Sequence, residues 1–334
     1  MSPRFKNTLL SLALLLFSTT VVFIGLEAAI RILNIGQSKS WTDRPKRHYF
    51  SAQSRNTRDY KYSVEKPKDT YRIVVVGDSF AFGYGNQFDD SFPKRLERIL
   101  NLNAQTPKVE VINLGNPGNA IQHNAISVKK ALSLLSPNLV ILEVTLNDPE
   151  LTPYGKDGKR VKLRNGQTPT GLAAYSKIIQ FVQTRLENSR SHKQYLEYFL
   201  SLFKNKDSLE NFETGMRQIS QACKAANIPL VSVVFPLLSY PLDESYPFKE
   251  PHLVVHKVLE SNSIPYRDLL STYRGIPSIR LTADPVRDPH PNEIAHRIAA
   301  NELYAWLKKR KLLPESSIVT FSSNRRTSVK WFKE

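Results

Sequence analysis

The distribution of apolar and polar positions divides the chain into stretches of different character. Thr8 to Leu26 reads TLLSLALLLFSTTVVFIGL, with no charged side chain. As a helix it would be about 28 Å long at 1.5 Å per residue, close to the hydrocarbon thickness of a bilayer. A signal peptide has a shorter apolar core and a small-residue cleavage site. Here the run passes into EAAIRILNIG with no processing motif, so an uncleaved anchor over residues 8–30 is predicted, behind a basic tail of residues 1–7. The next stretch, 31–70, includes WTDRPKRHYF and RNTRDYKYSVEKPKD. It reads as a juxtamembrane linker.

The pattern then changes again. RIVVV (72–76), KVEVI (108–112), NLVILEV (138–144) and PLVSVVF (229–235) are short runs rich in β-branched residues, as expected of strands buried on both faces of a parallel sheet. Helical spacing lies between them. Leu209, Phe212, Met216, Ile219 and Cys223 recur three and four apart, which puts them on one helix face. A final helix is predicted from Glu293 to about Leu312, carrying Ile294, Ile298, Leu303 and Leu307. Strands alternating with helices predict an α/β domain over residues 71–312, with a parallel sheet covered on both sides. Residues 313–334 form a basic tail. The stretch 149–171 is a long loop rich in Gly, Pro and cations, including Lys156, Lys159, Arg160, Lys162 and Arg164.

Composition narrows the function classes. The only cysteine, Cys223, excludes an internal disulfide, a thiolate zinc site and a CxxC redox pair. A formal charge of +17 favours anionic surroundings such as lipid headgroups or acidic polysaccharide, or simply a well-solvated surface. Gly77 follows the first sheet strand, but GDSFAFGYG has neither GxGxxG spacing nor a GK[ST]. It therefore fits no phosphate-binding fingerprint.

Four candidate sites sit at strand ends or in the loops beyond. Gly77-Asp78-Ser79-Phe80 ends the first strand, where ligands of open parallel sheets bind; Asp78 or Ser79 could equally just cap a helix. Asn113-Leu-Gly-Asn-Pro-Gly118-Asn follows the second, and locally reads as a Pro-Gly turn. Leu146-Asn147-Asp148 follows the third and could form an Asx-turn. Arg287-Asp288-Pro289-His290 precedes the last helix, so a carboxylate and an imidazole lie two apart around a stiff proline. That pairing suits a serine hydrolase, which needs an imidazole to take the serine proton and a carboxylate to hold the imidazole. The remaining histidines, His252 and His256 among them, read singly as surface or packed residues, and no compact metal-ligand motif is seen.

Taken in chain order, VVVGDSFAFGYG, NLGNPGNAIQ, VILEVTLND and DPHPNEIAH resemble the sequence blocks of the SGNH (GDSL-like) hydrolase family. The likeness runs from Arg72 to Leu312. It implies a flavodoxin-like three-layer α/β/α sandwich and a catalytic triad of Ser79, Asp288 and His290, with Ser79 the nucleophile and His290 the base. The oxyanion hole it implies comprises the backbone N–H groups of Ser79 and Gly118 and the side chain of Asn147. Two positions depart from the common pattern. Many members carry the triad aspartate three residues before the histidine, where this chain has Arg287; Asp288 at minus two matches the polysaccharide-modifying branch, with Asp284 the fallback. Thr145 stands where a glycine often precedes the Asn. The resemblance implies no cofactor and no metal, and an acyl-ester substrate. An acetylated envelope glycan at the membrane surface is the expectation. No nucleic-acid partner is expected. An O-acetyltransferase, a lysophospholipase and a non-catalytic membrane-anchored binding protein are the competing readings.

Overall fold

The computed structural model describes residues 3–33, 35, 59–102, 107–152, 171–284 and 288–315, without the side chains of Ala173, Asn188, Asp284 and Asp288. The helices in chain order are α1 (Pro3–Ile32), α2 (Ser79–Phe82), α3 (Phe92–Leu100), α4 (Ile121–Leu135), α5 (Lys177–Leu202), α6 (Lys206–Ala225), α7 (Lys249–Ser261), α8 (Leu270–Tyr273) and α9 (Glu293–Lys309). The strands are β1 (Thr70–Val76), β2 (Lys108–Asn113), β3 (Leu139–Val144), β4 (Leu230–Val234), β5 (Tyr266–Asp268), β6 (Thr282–Asp284) and β7 (Asp288–Pro291). The chain forms two compact units, one of residues 1–46 and 161–198, the other of residues 47–160 and 199–334.

The first unit holds α1. No residue of this helix is buried, and among the described residues it is the one helix long and apolar enough to cross a membrane, a test a signal sequence also passes. Its few polar side chains are turned inward. The hydroxyls of Thr8, Thr19 and Thr20 donate to the carbonyls of Arg4, Leu15 and Leu16 at 2.9, 2.7 and 2.7 Å. Each thereby satisfies its polarity within the helix, leaving a hydrocarbon exterior. Near the end of α1, Glu27 accepts the N–H groups of Lys177 and Ile178 at 2.7 and 2.9 Å and the Ser176 hydroxyl at 3.0 Å. Its carboxylate thus caps the start of α5, where free N–H groups attract negative charge.

The second unit is built on a five-stranded sheet of order β2-β1-β3-β4-β5, with every pairing parallel. That order, with helical crossovers, is the flavodoxin-like doubly wound arrangement. Ile73 to Val76 and all of β3 are buried, so both faces of the sheet are covered and the architecture has three layers. The helices pack as two sets, α3 with α9 and α4 with α6. Gly215 lets the second pair close up, since a Cβ there would lie 2.7 Å from Ile121. The packed chain begins by Asp59, within the stretch read as a linker, whose buried carboxylate pairs with buried Lys94 at 3.0 Å. Outside the main sheet, β6 and β7 form an antiparallel hairpin. The sequence pattern did not predict it, nor the three-residue strand β5.

Candidate active site

β1 ends at Val76, and the next three residues turn sharply into α2. Asp78 is the N-cap of that helix, accepting the Phe80 N–H at 2.7 Å, and Gly83 closes it in the left-handed conformation at φ 75°. A four-residue helix held at both ends fixes its first residue, Ser79. The turn has no room to spare, because a Cβ on Gly77 would run into Glu143 Oε2. The β2–α4 loop runs on beside it, with the Leu114 N–H donating to Val75 and the Asn116 N–H to Gly77. A Cβ on Gly115 would collide with the Phe82 nitrogen, which accounts for that glycine.

The hairpin brings His290 across. Ser79 Oγ lies 3.0 Å from His290 Nε2, joining two residues far apart in sequence at the C-terminal end of β1. Ser79 is only 5% exposed. The imidazole stands between two aromatic rings, Tyr84 at 4.7 Å and Phe80 at 5.6 Å between centroids. Its strand is pinned from both sides. Asn86 donates to the Pro291 carbonyl at 2.6 Å. Asn292 caps α9 by accepting the Ile294 and Ala295 N–H groups, and donates to the Arg280 and Thr282 carbonyls. The side chains of Asp284 and Asp288, the two candidates for the triad acid, lie outside the described residues. Their backbones face each other across the hairpin.

The second and third sequence candidates meet in one network. Gly118 adopts φ 85° in its turn, a conformation that favours glycine. Neither its N–H nor that of Ser79 has an acceptor among the described residues. Asn147 donates one amide hydrogen to the Asn119 carbonyl at 3.2 Å, which leaves the other for a ligand. Its Oδ1 faces the Thr145 hydroxyl, and that hydroxyl also lies 3.0 Å from Asp78 Oδ2. Thr145 therefore ties Asn147 to Asp78, the residue before Ser79. Asp148 ties its own loop to α4 by accepting from Asn124 and from the Thr145 N–H, both at 3.1 Å.

Beneath Ser79 the site is acidic and buried. Asp78, Glu143 and Asp148 are 3%, 1% and 1% exposed, and no lysine or arginine pairs with them among the described residues. Burial, reinforced by the charges of Asp78 and Asp148, pushes the Glu143 carboxyl well above its usual range. Burial and the Asp78 charge raise Asp148 likewise. Glu143 accepts the Asp78 N–H at 3.0 Å through Oε2, while Oε1 meets no donor among the described residues. A neutral carboxylic acid is the form that suits such a place.

No family model and no curated protein matches the chain. Solved structures do resemble it. The acetyl xylan esterase AlAXEase is 16% identical, covering 71% of this chain and 99% of its own, at a TM-score of 0.47. A family 3 carbohydrate esterase from Clostridium thermocellum is 16% identical over 73% of this chain and 100% of its own, at 0.45. The psychrotrophic esterase EstA from Pseudoalteromonas sp. is 16% identical over 72% and 98%, at 0.42. These are distant likenesses. The fold assignment rests on the strand order and the parallel pairing.

Several residues of this site have no place in the sequence reading. Glu143 had a visible signal, a lone carboxylate inside the apolar run LVILEV. Tyr84 and Asn86 had none beyond their nearness to Ser79. Two histidines close to the motifs prove structural: His123 Nδ1 accepts the Ala120 N–H and His296 Nδ1 that of Phe92, each at 3.2 Å. The cationic loop around Lys156 to Arg164 lies outside the described residues. Among the described residues, the one group of three side chains whose donor atoms converge closely enough to hold a metal ion consists of His252, His256 and Asp268.

Proposed function

We propose that the second unit is an SGNH-type serine esterase that removes short acyl groups, acetyl above all, from an envelope glycan at a membrane surface. The observation that carries the esterase reading is the 3.0 Å approach of His290 Nε2 to Ser79 Oγ at the end of β1. His290 takes the hydroxyl proton as Oγ attacks the ester carbonyl. The tetrahedral oxyanion is received by the Ser79 and Gly118 N–H groups and by Asn147, donors aimed at charge that exists only in that state. The ester C–O bond then breaks, and His290 returns the proton to the leaving alcohol. Water, activated by the same imidazole, releases the acid and restores Ser79. Asp288 is assigned to hold the imidazole in the tautomer that leaves Nε2 free to accept.

The glycan reading rests on the DPH order around His290, which resembles the polysaccharide-modifying branch, and on α1, which would confine the site to a surface where envelope polymers are handled. With α1 as an anchor, the bulk of the chain lies outside the cytoplasm. A reporter active only in the cytoplasm, fused after Glu334, should be silent.

The same anchor suits a lipid esterase, and acyl length separates the two. Each methylene buried is worth about 0.8 kcal/mol, so a lipid site gains with chain length. kcat/KM on acetyl, butyryl, octanoyl and palmitoyl esters of one alcohol should fall beyond about four carbons, and Ser79→Ala should abolish all of it. A rise toward palmitoyl would replace the glycan by a lipid. Turnover surviving in Ser79→Ala would remove the serine mechanism.

A further inference from the structure

We propose that His252, His256 and Asp268 form a binding site for a zinc-like divalent transition-metal ion, with a fourth position open to solvent. The site is built by the crossover itself. His252-Leu-Val-Val-His256 places two imidazoles one helical turn apart on α7, hence on one face. The helix then delivers the chain to β5, whose last residue is Asp268. Both rings converge on one oxygen: His252 Nδ1 and His256 Nε2 each lie 2.7 Å from Asp268 Oδ2. All three donor atoms fall within 4.8 Å of one another.

Two imidazoles and one carboxylate form a three-ligand set of the kind that holds zinc with one position left for water. The surroundings hold these side chains in place by one hydrogen bond and two ring contacts. Asp268 Oδ1 accepts the Leu270 N–H at 2.8 Å. The His256 ring stacks on Tyr266 at 4.7 Å, and the Tyr246 edge meets His252 at 5.6 Å. Access is one-sided. The His252 side chain is 2% exposed, while those of His256 and Asp268 are 23% and 14% exposed, so the open position faces water.

Charge points the same way. Asp268 is largely buried, yet no lysine or arginine pairs with it among the described residues; its partners are two imidazoles and one N–H. A divalent ion would offset that carboxylate fully. Tetrahedral bonds of about 2.0–2.1 Å set donors about 3.3 Å apart. Both ring nitrogens lie 2.7 Å from Asp268 Oδ2, so loading asks each to separate from that oxygen by about half an ångström. In the sheet order three strand spacings separate β5 from β1, about 14 Å. The ion would thus tie the edge strand to α7, stabilising the fold without entering ester chemistry.

The test uses the full chain in detergent, treated with a chelator and then titrated with Co²⁺ alone. One Co²⁺ per chain should bind, with the visible absorption bands of a four-coordinate ion, and Zn²⁺ should bleach them. Zn²⁺ alone should raise the thermal midpoint. His256→Ala, at the rim, and Asp268→Asn, which keeps shape and size, should each weaken Co²⁺ binding by more than about 100-fold, beyond the loss that follows removal of a supporting group. Ester turnover per folded molecule should stay within about twofold in His256→Ala, so failure of the esterase reading would leave this result standing. No visible bands in the wild type, or equal Co²⁺ binding by wild type and both variants, would reduce the cluster to a hydrogen-bonded clamp and overturn the proposal.

Discussion

The two ends of β1 both bury charge, and they treat it in opposite ways. At the start, Arg72 is fully buried with its donors committed. Nε meets Glu110 at 2.7 Å, Nη1 donates to the Val64 and Leu135 carbonyls, and Nη2 donates to Ser63. At the other end, Asp78, Glu143 and Asp148 crowd together with no lysine or arginine paired to them among the described residues, where Glu143 Oε1 also meets no donor. The first end is closed and complete, and its residues fasten the entering chain to the sheet. The second holds perturbed acids, glycines with no room for a Cβ, and backbone N–H groups that wait for an acceptor. Such departures from full satisfaction concentrate where a protein works. The contrast within one strand therefore sets an end that fastens the fold against the end to which the ester chemistry is assigned.

The largest effect should come from the carboxylate assigned to His290. Asp288→Asn should lower kcat by about 10²–10⁴-fold, as loss of an orienting carboxylate does, with little change in thermal midpoint. Asp284→Asn should cost far less. If Asp284→Asn is the more damaging, the hairpin presents its acid from the other strand.

The closed end should answer in the opposite currency. Arg72→Met strips several buried acceptors of their donor and leaves Glu110 unpaired, for a loss of about 3 kcal/mol in unfolding free energy. Turnover per folded molecule should be unchanged. A variant of normal stability but poor turnover would dissolve the contrast between the two ends.

The smallest effect concerns pH. Because the Glu143 carboxyl is raised above its unfolded value, the folded state binds more protons than the unfolded one over the interval between them. Its contribution is present in acid and is lost as pH climbs through the raised value. Glu143→Gln, the same shape without the proton, removes that loss. The drop in thermal midpoint from pH 5 to pH 8 should shrink, though not vanish, since Asp148 is raised in the same sense. Turnover should survive. An undiminished drop would mean that Glu143 is not the proton carrier.

Much of this was legible in the sequence for simple reasons. RIVVV, NLVILEV and PLVSVVF are short, β-branched apolar runs of the kind a strand buried on both faces needs, KVEVI alternates polar and apolar residues as an edge strand can, and β1 to β4 lie on them. Ser79 and His290 were legible because glycine turns and a proline-stiffened loop sit at strand ends, where open sheets gather ligands. What escaped notice depends on contacts between distant segments. The hairpin β6–β7 is short and polar, so it carries no period of its own. Asn86 matters only because Pro291 arrives beside it. His252 and His256 read as separate helix residues until β5 brings Asp268 to them.

The central claim is that Ser79 is a nucleophile made reactive by His290, and trapping it tests this most directly. The full chain should be treated with a fluorophosphonate and the adduct located by peptide mass spectrometry. The account predicts a single adduct on Ser79, absent from Ser79→Ala and formed far more slowly in His290→Ala. An adduct on another serine, or labelling undiminished in Ser79→Ala, would contradict it.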